Sequence, residues 1–168
     1  MTSLEKASGY TLPTATQKNA FFCNSVPTFF CDSDLMKFLD YAKERKGNTR
    51  ICLHRSPNCS LHEMIIFQRK ECFYPPKKNL EKEKSFMILY GRMEVIIFGP
   101  NGEIKDSVCL SQEKNSYCRI PKGIMHVDLP QDESLHLEIT SGPFKSEDNI
   151  VAEWFDDSKK RMLLNRRI

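Results

Sequence analysis

From residue 50 to residue 140 the chain is written in short apolar runs broken by turn-forming residues, and this rhythm constrains the fold most. The runs cover residues 50–54, 63–69, 85–90, 93–98, 103–110, 116–120, 123–129 and 135–140. Gly91-Arg92 makes a tight turn between the third and fourth, and Gly99-Pro100-Asn101-Gly102 a strong turn before the fifth. Strands of this length at this spacing predict an all-β sandwich or barrel. Ahead of them the period changes. Leu35, Met36, Phe38, Leu39 and Ala42 form one apolar stripe, so a helix is expected over 33–45, capped by Ser33 and ended by Gly47-Asn48.

The remaining segments are less patterned. Ala20-Phe21-Phe22-Cys23 and Thr28-Phe29-Phe30-Cys31 read as short strands or extended lead-ins. Residues 1–19 are polar and aperiodic and are expected to be flexible. The basic end, 158–168, has an apolar centre at Met162-Leu163-Leu164, so it is either a short docked helix or a polar tail. The expected organisation is a flexible segment 1–19, a helical extension 20–48, a barrel 49–157 and a tail 158–168. A chain of 168 residues, 40% of them apolar, suits one domain with one sizeable core.

Charge and cysteine usage narrow the function classes. A net charge of +3, with lysines and glutamates interspersed, gives no reason to expect a nucleic-acid partner. No apolar run approaches the roughly 20 residues that span a bilayer, and the start lacks a secretory layout, so neither membrane association nor export is expected. Seven cysteines, an odd number without a C-x-x-C pair, argue against a disulfide framework or zinc knuckle and for reduced thiols in a cytoplasm.

One motif carries chemistry. Pro121-Lys122-Gly123-Ile124-Met125-His126 is similar to the second cupin motif, P-x-G-x-x-H, whose histidine binds metal. Aligned on Gly91, the first cupin motif places its glutamate at Lys84 and its two histidines at Lys77 and Asn79, so the spacing survives while the ligand types do not. More of the chain resembles the WbuC family of cupin-fold proteins. The likeness lies in Ile51-Cys52-Leu53-His54, His62-Glu63-Met64, Ser85-Phe86-Met87-Ile88-Leu89-Tyr90-Gly91, Tyr117-Cys118-Arg119-Ile120-Pro121 and Glu138-Ile139-Thr140-Ser141-Gly142-Pro143-Phe144, over roughly residues 20–157. The resemblance implies a double-stranded β-helix (jelly roll) with an N-terminal helix. It also implies a bacterial setting in surface-polysaccharide metabolism, without a settled reaction, and pairing into homodimers is common among cupins.

Period-two alternation puts Lys77 with Asn79, Lys84 with Phe86, Ile88 and Tyr90, and His126 with Asp128, each set on one strand face. In a closed barrel Lys77, Asn79, Lys84 and His126 converge on one ligand pocket. Two ammonium groups repel a divalent ion and offer it no lone pair, so no metal and no cofactor is expected there. Two readings of the lysines stand. They fill the vacated space and snorkel to the mouth, or they attract an anion such as the phosphate or carboxylate of a carbohydrate, with lysine catalysis a narrower variant. Alternatives are a metal-independent sugar isomerase or epimerase, in which His126 pairs with Tyr90 or Asp128 as base and acid, and a metal site rescued by Glu81 or Glu83 through a slipped strand. His54, His62 and His136 read as ordinary core or surface histidines, and Trp154 as a packing residue.

Overall fold

Two antiparallel sheets lie face to face in the computed structural model, which describes residues 10–11, 20–23 and 31–166. The strands are β1 (Tyr10–Thr11), β2 (Ala20–Cys23), β3 (Thr49–Cys52), β4 (Leu61–Gln68), β5 (Lys77–Asn79), β6 (Lys84–Tyr90), β7 (Met93–Phe98), β8 (Ile104–Leu110), β9 (Tyr117–Ile120), β10 (His126–Pro130), β11 (Ser134–Ser141) and β12 (Asn149–Val151). Helix α1 spans Asp32–Lys43 and α2 spans Asp157–Asn165. The larger sheet runs β1-β2-β3-β4-β11-β6-β9 and the smaller β12-β5-β10-β7-β8. Among the described strands only β2 and β3 pair in parallel. This is the all-β architecture that the turn rhythm predicts, in the jelly-roll form that the resemblance implies.

Alternation along the strands sorts side chains into three cores. Outward residues of the larger sheet (Ile51, Ile65, Phe67, Leu135) pack with Phe38, Leu39 and Ala42 of α1. Outward residues of the smaller sheet (Ile96, Phe98, Val127, Leu129) pack with Leu163 of α2, beneath Trp154. Between the sheets, Phe86, Ile88, Met93, Val95, Leu110 and Ile120 fill one half of the interior. The other half is polar, and the site lies there.

Gly91 carries the chain from one sheet to the other. Its φ of +73° suits glycine, and a side-chain carbon there would collide with the Glu133 carbonyl. The Gly91-Arg92 turn therefore joins β6 of the larger sheet to β7 of the smaller rather than closing a hairpin.

Several expectations need correction. Ser33 lies inside α1, and the N-cap is Cys31, whose N–H donates to the Asp34 carboxylate at 3.2 Å. The helix ends at Lys43, before the Gly47-Asn48 signal. β5 and β12 were not among the predicted runs, because Lys77–Asn79 and Asn149–Val151 are too short and polar to show a hydrophobic period. At the C-terminus the helical alternative is the one formed. Asp156 caps α2 by accepting the Lys159 N–H at 2.8 Å, and Leu163 is wholly buried. The aperiodic stretches 1–9 and 12–19 and the lead-in at 28–30 lie outside the described residues.

Candidate functional site

Five strands aim polar side chains into the open half of the barrel. Lys84 and Phe86 come from β6, Lys77 and Asn79 from β5, His126 and Asp128 from β10, His136 and Glu138 from β11, and Met64 and Gln68 from β4. Register fixes their rows. On the larger sheet Thr140 pairs with His62 and Lys84, and Glu138 with Met64 and Phe86. On the smaller, His126 pairs with Lys77. Phe86 is the floor: its ring centroid lies 6.4 Å from the His126 ring and 5.8 Å from the His136 ring.

Two cavities occupy this space. One, of about 210 Å³, is lined by Lys77, Asn79, Lys82, Lys84 and His62 among others. The second, of about 260 Å³, is lined by Thr49, Gln68, Asp128 and His136 among others. Arg50, Met64, Lys77 and Glu138 border both. Three of the four expected pocket residues thus line one cavity. The fourth, His126, is buried beside them, 1% exposed, with Lys77, Lys84 and Asp128 as its charged neighbours.

Electrostatics assign the protonation states. Burial pushes the Asp128 and Glu138 carboxyls upward, but Lys77 and Lys84 outweigh it and hold both below the usual carboxylate range, so both are ionised at neutral pH. Glu138 lies 3.7 Å from the Lys84 ammonium. Burial pushes His126 and His136 down, and both rings are neutral. The His126 Nδ1–H donates to the Ile124 carbonyl at 2.9 Å, which leaves Nε2 as a lone-pair acceptor, buried and without a partner. Asn79 donates through Nδ2 to Asp148 at 3.2 Å and Asn149 at 3.1 Å, and its Oδ1 is left unpartnered.

A metal of the kind cupins hold does not fit these residues. His126 Nε2 and Asn79 Oδ1 offer lone pairs, but the other two positions are ammonium groups, one of them engaged with Glu138. Among the described residues no group of three or more His, Cys, Asp or Glu side chains converges with metal-binding geometry. Glu81 and Glu83 do not rescue the site: both are exposed, Glu83 pairs with Arg119, and Phe86 and Ile88 hold β6 in its unslipped register. Elemental analysis of protein purified without chelator is expected to show zinc, iron, nickel and manganese well below one equivalent. A full equivalent that His126→Ala removes would overturn this assignment.

Tyr90 is placed elsewhere. It is 43% exposed, with the Lys43 ammonium 5.5 Å from its ring, so it is not the acid partner of His126. An irregularity in the β6–β11 register explains this: Ile88 pairs with inward His136, but Tyr90 pairs with Leu135, which faces α1. Asp128, His136 and Glu138 line the second cavity, and the sequence reading undervalued His136 and Glu138. The alternation Leu135-His136-Leu137-Glu138 was the available signal: one face apolar beneath α1, the other polar and inward. His54 and His62 stack at 4.2 Å, and both border the first cavity. Trp154 packs on Phe98, with ring centroids 5.1 Å apart.

No protein-family model matches the chain, and no curated protein matches it in sequence. Its structure does have counterparts. Capsular polysaccharide assembling protein CapF from Staphylococcus aureus superposes with a TM-score of 0.53 at 15% identity, over 65% of this chain and 33% of CapF. The chain therefore spans about a third of CapF. A protein from Shewanella oneidensis superposes with a TM-score of 0.52 at 13% identity, over 82% of this chain and 92% of that one. Together with the two-sheet topology, these likenesses define a cupin-fold protein. No helix among the described residues is long and apolar enough to cross a membrane.

Proposed function

We propose that the chain is a cupin-fold binding protein for a small anionic carbohydrate, such as a sugar phosphate, a sugar acid or the sugar end of a sugar nucleotide. The observation that carries this reading is the charge around the two cavities. Arg50, Lys77, Lys82 and Lys84 face them, against the carboxylates of Asp128 and Glu138, with neutral histidines between. A concave, partly desolvated surface with surplus cations concentrates anions, and lysine donors form charge-assisted hydrogen bonds to them. The resemblance to the WbuC family and the fold likeness to a capsular polysaccharide assembling protein support a setting in bacterial surface-polysaccharide metabolism. The six cysteines with described side chains are free thiols, which supports the cytoplasm as the compartment.

Lys77→Met is the direct test. Lys77 makes no close ion pair with Glu138, which keeps Lys84, but it is the foremost counter-charge of buried Asp128, so a thermal melt of the variant accompanies the titration. One lost charge-assisted hydrogen bond is worth about 1.5–3 kcal/mol, so the affinity for a hexose phosphate should fall more than tenfold by titration calorimetry. Unchanged affinity for every sugar phosphate and sugar acid tried would favour lysines that only fill space.

One observation supports a metal-independent isomerase or epimerase as the second reading. His126 Nε2 is an unpartnered base beside ionised Asp128. Such an enzyme exchanges a substrate C–H with solvent deuterium, and abolition of that exchange by His126→Gln is its signature.

A further inference from the structure

The two cavities differ in what they ask of a ligand. The cations that face only the first are the Lys82 and Lys84 ammonium groups, beside the unpartnered Asn79 Oδ1 and the His62 ring, whose Nε2–H is spent on the Pro57 carbonyl at 3.1 Å. Facing the second alone are buried polar atoms that lack partners, and no ammonium group. The Gln68 Oε1 and the His136 Nδ1 are buried without a partner, and so is the Thr49 hydroxyl oxygen. Each of these residues is 1% exposed. The Gln68 amide is fixed in orientation, since its Nε2 donates to the Asp128 backbone carbonyl at 3.3 Å, so Oε1 is the atom left over. The ionised Asp128 carboxylate borders the same space.

Buried polar atoms without partners cost about 1–3 kcal/mol each, and a native chain carries few of them. Several converging on one cavity mark a place where something else supplies the hydrogen bonds. Hydroxyl groups meet the requirement, because each donates one hydrogen bond and accepts others. The space is adequate. A cavity of roughly 150 Å³ holds one six-membered ring, and the second cavity measures about 260 Å³. A whole sugar nucleotide exceeds it, as ligands of that size occupy about 300–1,000 Å³.

From this polarity we infer that the second cavity is a pyranose-ring subsite, in which Gln68, Asp128, His136 and Thr49 receive the ring hydroxyls while the anionic group lies in the first cavity on Lys82 and Lys84. The inference rests on the anionic-carbohydrate reading and adds the ligand's orientation to it. Arg50 and Lys77, which border both cavities, sit where ring and anion join. Any nucleotide portion of a longer ligand lies beyond the first cavity, outside the barrel.

The test is calorimetric titration of the full chain with glucose, galactose and mannose 6-phosphates and with n-propyl phosphate, which carries the same charge but no hydroxyls. The best hexose phosphate should bind at least tenfold more tightly than n-propyl phosphate. Gln68→Leu and Asp128→Asn should each shrink that ratio at least fivefold, with a thermal melt confirming that the variants fold. Equal affinities in the unaltered protein overturn the inference without recourse to any variant, and so does a ratio that both variants preserve. Failure of every phosphate to bind overturns the anionic reading instead. Thermal shift by the corresponding methyl hexosides then decides the ring subsite: a shift lost in Gln68→Leu upholds it, and no shift overturns it.

Discussion

Phe86→Ala is expected to cost about 3–5 kcal/mol of folding stability, a large share of the 5–15 kcal/mol that holds a domain of this size together. The ring is wholly buried, packs with Ile88, Met93, Val95, Leu110 and Ile120, and carries the His126 and His136 rings on its other side. The Lys84 ammonium lies 5.9 Å from its centroid. Truncation removes apolar contact and opens a void that joins the polar cavities to the apolar core, where water has few partners. The urea midpoint at neutral pH should drop with little change in slope, whereas Phe86→Leu, which keeps more of the volume, should cost less. A loss below about 1 kcal/mol for the alanine variant would mean that the two halves of the interior do not share this wall.

Acid should destabilise the protein well before the carboxylates titrate. All four histidines are pushed below the ordinary value of 6.5, His54 to about 4, and burial is the first cause for each. The sign follows from linkage. Above pH 6.5 both folded and unfolded chains hold neutral imidazoles and no difference arises. Below it the unfolded chain takes up protons that the folded chain refuses, so stability falls as pH falls. By pH 5.5 each ring that stays neutral in the fold forgoes about 1.4 kcal/mol. The enclosed His126 and His136 contribute to this loss, as do His54 and His62. Asp128 and Glu138, held below their ordinary values, extend the loss beneath pH 4.5. Urea midpoints measured at pH 7.0, 6.0 and 5.5 should decline steadily, and a flat profile would contradict the neutral, buried imidazoles.

The fold was legible in the sequence because its determinants are local. Turn residues at 91–92 and 99–102 punctuate strands whose apolar content shows directly, and the α1 stripe reads at helical period. The site was legible in part. Cupin spacing placed Lys77, Asn79 and Lys84 in one cavity and His126 against it, but Tyr90 went astray because a register irregularity against β11 breaks the period-two alternation after Ile88 and turns Tyr90 toward α1. His136 and Glu138 escaped notice because their role depends on pairing with residues about 70 and 50 positions earlier, Ile66 and Phe86 among them. Such separations leave no local mark. Asp128 was placed on the cavity face with His126, but the Glu138 carboxylate was missed, which made the pocket look more cationic than it is.

The strict alternation of cavity-facing and helix-facing residues on β10 and β11 has an evolutionary corollary. His126, Asp128, His136 and Glu138 sit one residue away from Val127, Leu129, Leu135 and Leu137, yet the two sets answer to different selective pressures. The first lines or lies beside the cavities, and the second contributes to cores beneath α1 and α2. Binding chemistry is thereby insulated from folding energetics at single-residue resolution. Groups on the cavity-facing register can therefore be exchanged while the scaffold persists on the other. For engineering, positions 77, 84, 126, 128, 136 and 138 form a set that tolerates recoding as a group, provided each buried charge keeps a counter-charge.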